Sequence, residues 1–269
     1  MTEEIITEQA DGVLRIALNR PEKRNALTSA MYLKLAEIFN DAARDERLRV
    51  VLWHGAGEAF SAGNDIGDFL NNPPGPGDSP QAKLMHALLD FDKPLVAAVR
   101  GAAVGSGTTI LLHCDFVYAS ETAKFQMPFI NLALVPEFGS SSLAPLAMGY
   151  LRAAELILLG APFDAARAVE LGLITAIVAD EALLPTATEM ARTLAAKPAG
   201  ALQASKRLLK DPRRAQIRAA MKAENEAFSV EVRSEDAKEA LTAFLEKRPP
   251  DFSRTSNPQR PQRAAAVEL

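Results

Sequence analysis

At 269 residues, 48% apolar and 24% charged, the chain has the size and composition of an ordinary globular protein with a sizeable core. A net charge of −4 argues against a nucleic-acid or anionic-membrane surface, and a single cysteine, Cys114, excludes an internal disulfide or a zinc–thiolate cluster. The acidic opening, MTEEIITEQADG, reads as neither a signal nor a transit peptide, and no apolar run is long enough to span a membrane, so a cytoplasmic location is expected.

Ile5 to Gln9 and Val13 to Leu18 read as two strands about an Asp11-Gly12 turn, a strong hairpin signal. The polar loop from Asn19 to Asn25 carries Arg20, Lys23 and Arg24. Thr28 is a suitable N-cap for a helix to about Arg44, with Met31, Leu35, Ile38, Phe39 and Ala42 on one face. Arg49 to Trp53 reads as the next strand, and Phe60 to Phe69 as a loop-to-helix junction in which Asp65 and Asp68 suit a helix start. Asn71 to Pro80, with Pro and Gly at six of ten positions, reads as a flexible loop suited to a lid.

A helix from Gln81 to Phe91 leads to the central stretch. The apolar run Leu95 to Val99 suits a buried strand, Gly101 to Gly107 is a turn of small residues, and Thr108 to His113 reads as a short buried helix. Such a junction leaves backbone N–H groups uncommitted, fit to hold a phosphate or a developing oxyanion. Glu137, in Leu134-Val135-Pro136-Glu137-Phe138-Gly139, is either a turn residue starting a helix or an acid/base tuned by its apolar setting. Helical patterns at Tyr150–Leu159 and Asp164–Leu171, a strand near Ala176–Val178 and a helix over Glu181–Ala195 follow. From Ala199 to about Leu245 only helices are expected, and the tail after Asp251 reads as disordered. Alternating strands and helices give an α/β class for the first two-thirds, with the last third a helical appendage.

The histidines, His54, His86 and His113, stand apart from one another, and His113 suits a satisfied core position. No metalloprotease, Walker A or nucleophile-elbow motif occurs. What remains is a backbone donor site with isolated carboxylates.

From Leu14 to about Phe252 the chain resembles the enoyl-CoA hydratase/isomerase, or crotonase, superfamily. The matching segments are Asn19–Leu27 (N-R-P-x-x-x-N-A-L), Phe60–Ile66 (F-x-A-G-x-D-I), Arg100–Gly107, Cys114-Asp115, Ala123–Phe125 and Ala168–Leu173. The resemblance implies a spiral of β-β-α units over residues 1–198 carrying a CoA groove, a helical oligomerisation region over 199–252 and a disordered tail over 253–269. It implies an acyl-CoA thioester substrate with no other cofactor and no metal, and assembly as a homotrimer or homohexamer. Asn64 and Ser106 fall where the family's two oxyanion-hole N–H groups lie, and Ser106 also suits a helix N-cap. Arg24, Ala26, Ala62, Gly63, Asp65, Ile66, Gly105, Phe129 and Pro136 fall in its substrate-binding segments, and Phe244 and Lys247 in a segment that reaches CoA from a neighbouring subunit.

The two glutamates that the family's hydratases use are replaced here by Thr109 and Phe129. Pro136-Glu137-Phe138-Gly139-Ser140-Ser141 instead resembles the site of its single-glutamate Δ3,Δ2-enoyl-CoA isomerases. One carboxylate suffices to move a proton from C2 to C4 of a 3-enoyl thioester. The resemblance therefore implies such an isomerase, with Glu137, Asn64 and Ser106 as its catalytic set. A hydratase- or dehydratase-type enzyme and a non-catalytic thioester-binding scaffold remain the alternatives.

Overall fold

The computed structural model describes residues 3–254 apart from Pro74 and Pro76; the tail expected to be disordered lies outside it beyond residue 254. Strands β1 (Ile5–Ala10) and β2 (Val13–Leu18) form the expected hairpin, with Ala10 paired to Val13. Asp11 and Gly12 both take positive φ, 51° and 76°, as a two-residue turn matched to strand twist requires. Helix α1 (Ser29–Arg44) starts at Thr28, whose side chain accepts the Met31 N–H at 3.2 Å. Then come β3 (Val50–Gly55), α2 (Ile66–Asn71), α3 (Pro80–Leu89), β4 (Leu95–Val99), β5 (Ala102–Val104) and α4 (Ser106–Thr109), which tightens into a 3₁₀ turn over Ile110–His113. The chain continues through β6 (Phe116–Ser120), β7 (Lys124–Gln126), α5 (Ser140–Met148), α6 (Tyr150–Leu159), β8 (Phe163–Asp164), α7 (Ala165–Glu170) and β9 (Ala176–Val178). It ends in α8 (Leu183–Ala195), α9 (Ala199–Glu231), α10 (Glu235–Leu245) and a 3₁₀ turn at Phe252–Arg254.

The larger sheet has the order β1-β2-β3-β4-β6-β9, parallel from β2 onward, and the smaller has the order β5-β7-β8. Side-chain alternation splits β3 and β4 between two cores. Val51, Trp53, Leu95, Ala97 and Val99 pack with Phe39 of α1 and Leu84 of α3. Val50, Leu52, Val96 and Ala98 pack with Leu183, Ala187, Ala191 and Leu194 of α8. Burial on both faces explains why these strands read as continuous apolar runs. A main-sheet strand is followed by a short strand in the second layer and then a helix, as in β4-β5-α4. After β3 the second-layer element shrinks to a single bridge, Ser61 to Ala103, before α2. This is the expected α/β spiral of β-β-α units.

Several short elements were not evident from the sequence. Ala102–Val104 and Lys124–Gln126 are strands only because they pair with each other, and β6 and β8 also went unread. The helix expected from Thr108 begins at Ser106, because Gly105 turns the chain at φ 56°. Helix α9 runs 33 residues through Pro212. The partner its missing N–H leaves vacant is the carbonyl of Leu208, on the solvent side of the helix at a residue 76% exposed.

Helix α9 is packed into the main core rather than hung beside it. Ile217 and Met221 join the cluster of β3 and β4. Lys206 Nζ donates to Lys93 O at 2.7 Å and to Asp115 Oδ2 at 2.6 Å, and Asp115 Oδ2 also accepts the Leu95 N–H at 2.7 Å. Arg214 and Arg218 reach the end of α3, at Leu89 O and Asp90. Lys206→Ala strands the Asp115 carboxylate, and a loss of about 3 kcal/mol is expected, the low end for a buried pair because Asp115 keeps some contact with solvent. Lys222→Ala, at an 80% exposed side chain on the same helix, is expected to stay within about 0.5 kcal/mol. Urea unfolding of both variants measures the difference.

Candidate active site

Two turns of the spiral meet main chain to main chain. Leu27 and Asn64 form an isolated parallel bridge, in which the Leu27 N–H donates to Gly63 O at 2.8 Å and the Asp65 N–H donates to Leu27 O at 2.9 Å. Ser61 N–H donates to Ala102 O at 3.0 Å, and the Val104 N–H donates back to Ser61 O at 3.0 Å. Gly63, at φ 84°, lies flat against the second turn: a Cβ there would sit 2.5 Å from Val104 O. The bridge uses the N–H of Asp65 and leaves that of Asn64 pointing away. Ser106 is the first residue of α4, with an N–H that has no intrahelical acceptor. Among the described residues neither N–H is taken by a protein acceptor.

A cleft of about 580 Å³ opens beside this junction, lined by Ala26, Ala62, Gly63, Asn64, Asp65, Ile66, Gly105, Phe129 and Glu137 among others. Four residues picked out from the sequence do not line it: Arg24, Ser106, Pro136 and Lys247. Arg24 contributes its carbonyl, which accepts the Ala62 N–H at 2.9 Å, while its neighbour Lys23 faces the cleft. Arg20 is occupied by Asp65 at 3.1 Å, Glu4 at 3.0 Å and Ala26 O at 2.6 Å, so it serves the fold. Ser106 is fully buried behind Gly105, and Gly105, not Ser106, is the N-cap. Phe244 lines this chain's own cleft with Leu241 and Arg248 of the same C-terminal segment, whereas Lys247 is absent from the lining.

Two carboxylates line the cleft among the described residues. Asp65 caps α2, accepting the Asp68 N–H at 3.1 Å, and pairs with Arg20. Asp68 is spent on Ser29, with Oδ2 accepting both the N–H and the hydroxyl at 2.7 Å. Glu137 is different. It is 4% exposed, its Oε1 has no hydrogen-bond partner, and its surroundings include Leu134, Phe129 and Phe228. Burial pushes its pKa up to about 8, the nearby Glu224 carboxylate adds to the rise, and a hydrogen bond from the Asn64 side chain opposes it.

Glu137 does not start α5, which begins at Ser140 with Gly139 as its N-cap. The capping is done by Glu224 of α9, whose carboxylate accepts the N–H groups of Gly139 at 2.7 Å and Ser141 at 2.8 Å. Phe138 holds φ 59°, a strained value for a bulky residue, and its carbonyl lies 2.7 Å from His113 Nε2. His113 is buried, with its pKa lowered to about 4 by burial, so it is a neutral donor, as its core position implied. Around Glu137 the backbone is fixed, and one side-chain oxygen is left without a partner.

Three site residues were not found from the sequence. Tyr32 Oη lies 2.8 Å from Asn64 Oδ1 and 2.7 Å from Ser106 Oγ. The α1 pattern places Tyr32 next to Met31 on the buried face, which was the available signal. Glu224 carries no local signal within α9. Gln81, with a buried and unpartnered Oε1, lines a small chamber with Gly75, Ser79 and Glu137, so described residues of the expected lid loop reach the site. A carboxyl with a pKa near neutrality beside two open N–H groups suits proton transfer next to a carbonyl.

The family model described as enoyl-CoA hydratase/isomerase matches residues 8–255. The chain is 36% identical to 1,2-epoxyphenylacetyl-CoA isomerase of Escherichia coli (strain K12), over 94% of this chain and 99% of the relative. It is 32% identical to 2,3-dehydroadipyl-CoA hydratase of the same organism, over 93% and 98%. A crystal structure of an enoyl-CoA hydratase/isomerase from Pseudoalteromonas atlantica T6c superposes with a TM-score of 0.89 at 37% identity, covering 93% of this chain and all of that one.

A pKa raised from the ordinary 4.5 to about 8 makes folding favour protonated Glu137, so this contribution to stability is full below pH 4.5 and is lost as pH rises through 8. Glu137→Gln removes that loss. Relative to wild type, the variant is expected to gain on the order of 3–5 kcal/mol between pH 5 and pH 9. Urea midpoints of both proteins at the two pH values check this; an unchanged difference contradicts it.

Proposed function

The chain belongs to the enoyl-CoA hydratase/isomerase family and is an acyl-CoA-processing enzyme of the crotonase superfamily; from that premise we propose that it is a Δ3,Δ2-enoyl-CoA isomerase. The reading is carried by Glu137, a buried carboxyl with a free oxygen and a pKa raised to about 8. In the proposed reaction the thioester oxygen accepts the N–H groups of Asn64 and Ser106. Glu137, as carboxylate, takes a proton from C2 of the 3-enoyl thioester, and electron density moves onto the thioester oxygen as a dienolate. The same proton is then delivered to C4 as the double bond forms between C2 and C3. One carboxyl serves both transfers, and charge appears only where fixed N–H dipoles receive it.

Hydration makes a different demand, since water must be activated and a proton delivered in one site. At the two positions where family hydratases carry glutamates stand Phe129, which lines the cleft, and Thr109, which is buried against Gly105 O. Neither exchanges a proton near neutral pH. This weighs against the activity in the hydratase relative's name.

Incubation with 3-enoyl-CoA is expected to raise ultraviolet absorbance as the double bond becomes conjugated with the thioester. Glu137→Gln is expected to lower turnover by about 10²–10⁴. Crotonyl-CoA is expected to undergo no hydration at enzymatic rates. Unchanged absorbance across several acyl lengths points to a thioester binder, and an active Glu137→Gln removes Glu137 from the mechanism.

A further inference from the structure

Tyr32 touches both of the loops whose N–H groups open beside the cleft. Its ring is fixed in the core, fully buried and 6.3 Å from the ring of Phe138, the residue after Glu137. Its Oη reaches Asn64 Oδ1 at 2.8 Å and Ser106 Oγ at 2.7 Å. A phenol has one proton and an amide oxygen only accepts, so Tyr32 donates to Asn64, and the Ser106 hydroxyl donates to Tyr32. With its oxygen held in this way, the Asn64 amide presents its NH₂ to Glu137. Two hydrogen bonds run in one direction, Ser106 to Tyr32 to Asn64, and the Asn64 side chain in turn favours the charged form of Glu137.

We propose that Tyr32 is a positioning residue that sets the spacing of the two oxyanion-binding N–H groups and, through the Asn64 side chain, aims the Glu137 carboxyl. A single oxygen on α1 thereby ties the loop ending at Asn64, the start of α4 and the proton-transferring group into one rigid unit. Serine and asparagine side chains are not themselves required by an oxyanion hole of backbone N–H groups. Their chemistry here is explained by the phenol between them. The kinetic meaning of the proposal rests on the isomerase reading; the geometric part does not.

The titratable groups facing Glu137 are Tyr32 from α1 and Glu224 from α9, while Asp65 is neutralised by Arg20 and His113 is neutral against Phe138 O. Of these, Tyr32→Phe alters only the first, and it keeps the ring. The freed Asn64 amide no longer holds the charged form of Glu137, so protonation of that carboxyl shifts to higher pH. On 3-enoyl-CoA the variant is expected to lose about 10–100-fold in kcat, the scale of a sub-ångström to ångström misalignment, with KM little changed. The acid limb of kcat/KM is expected to move upward. Asn64→Ala, which keeps its backbone N–H, is expected to move the limb equally, and the double variant no further.

A substrate-free readout separates this proposal from the reaction assigned to the site. The protonated Glu137 carboxyl has a C=O infrared band, identified by its loss in Glu137→Gln, that is titrated in wild type and in Tyr32→Phe. A higher midpoint in the folded variant supports the relay even if 3-enoyl-CoA is not turned over, a result that overturns the isomerase reading alone. An unmoved midpoint with unchanged kcat overturns the proposal. If Tyr32→Phe does not fold, Asn64→Ala carries the same titration, and an unmoved midpoint there overturns it.

Discussion

The site depends on keeping one carboxyl group dry. Glu137 sits where apolar side chains and a second carboxylate both disfavour its charge, and one oxygen is left with no partner at all. Such an arrangement costs stability and persists only where the surroundings over-determine it. Here they do so through the backbone. His113 donates to the carbonyl of Phe138, which is held at positive φ, and Glu224 fastens the next turn by capping α5 from across the molecule. The side chain is exposed to chemistry because the main chain on either side has no freedom to relax.

The same economy shapes the opposite wall of the cleft. Two turns of the spiral pair through isolated bridges instead of full strands, so the N–H groups of Asn64 and Ser106 are spared the hydrogen bonds a longer ladder would impose. Gly63 permits the contact, since any side chain there would collide with Val104 O. The long helix α9 closes the arrangement, anchored by Lys206 at one end of the sheet and delivering Glu224 and Phe228 to the site near its other end. Fold and site are thus coupled through the part of the chain that read as an appendage.

Much of this was legible in the sequence, for identifiable reasons. The Asp11-Gly12 hairpin, the Thr28 cap and the buried strand Leu95–Val99 rest on local rules, and each appears where those rules put it. Glu137 was visible as a lone carboxylate in an apolar run, and its upward pKa follows from that setting. What was illegible is non-local. Strands as short as β5 and β7 exist only through each other. Lys206 and Glu224 look like ordinary residues of an amphipathic helix until the fold brings Asp115 and the start of α5 to them. Tyr32 was left off the apolar face read for α1, and only the geometry shows where its hydroxyl ends. Arg24 and Pro136 were drawn in by their neighbours along the chain, whereas Lys23 and Glu137 are the ones that face the cleft.

The pH dependence of kcat/KM on a 3-enoyl-CoA substrate tests the central claim most directly, because it reads the protonation of the free enzyme's base. If a desolvated Glu137 carries the reaction, activity rises with pH through an acid limb centred near 8 and reaches its plateau above it. An acid limb at pH 4 to 5, the range of an ordinary solvated carboxylate, would contradict the account.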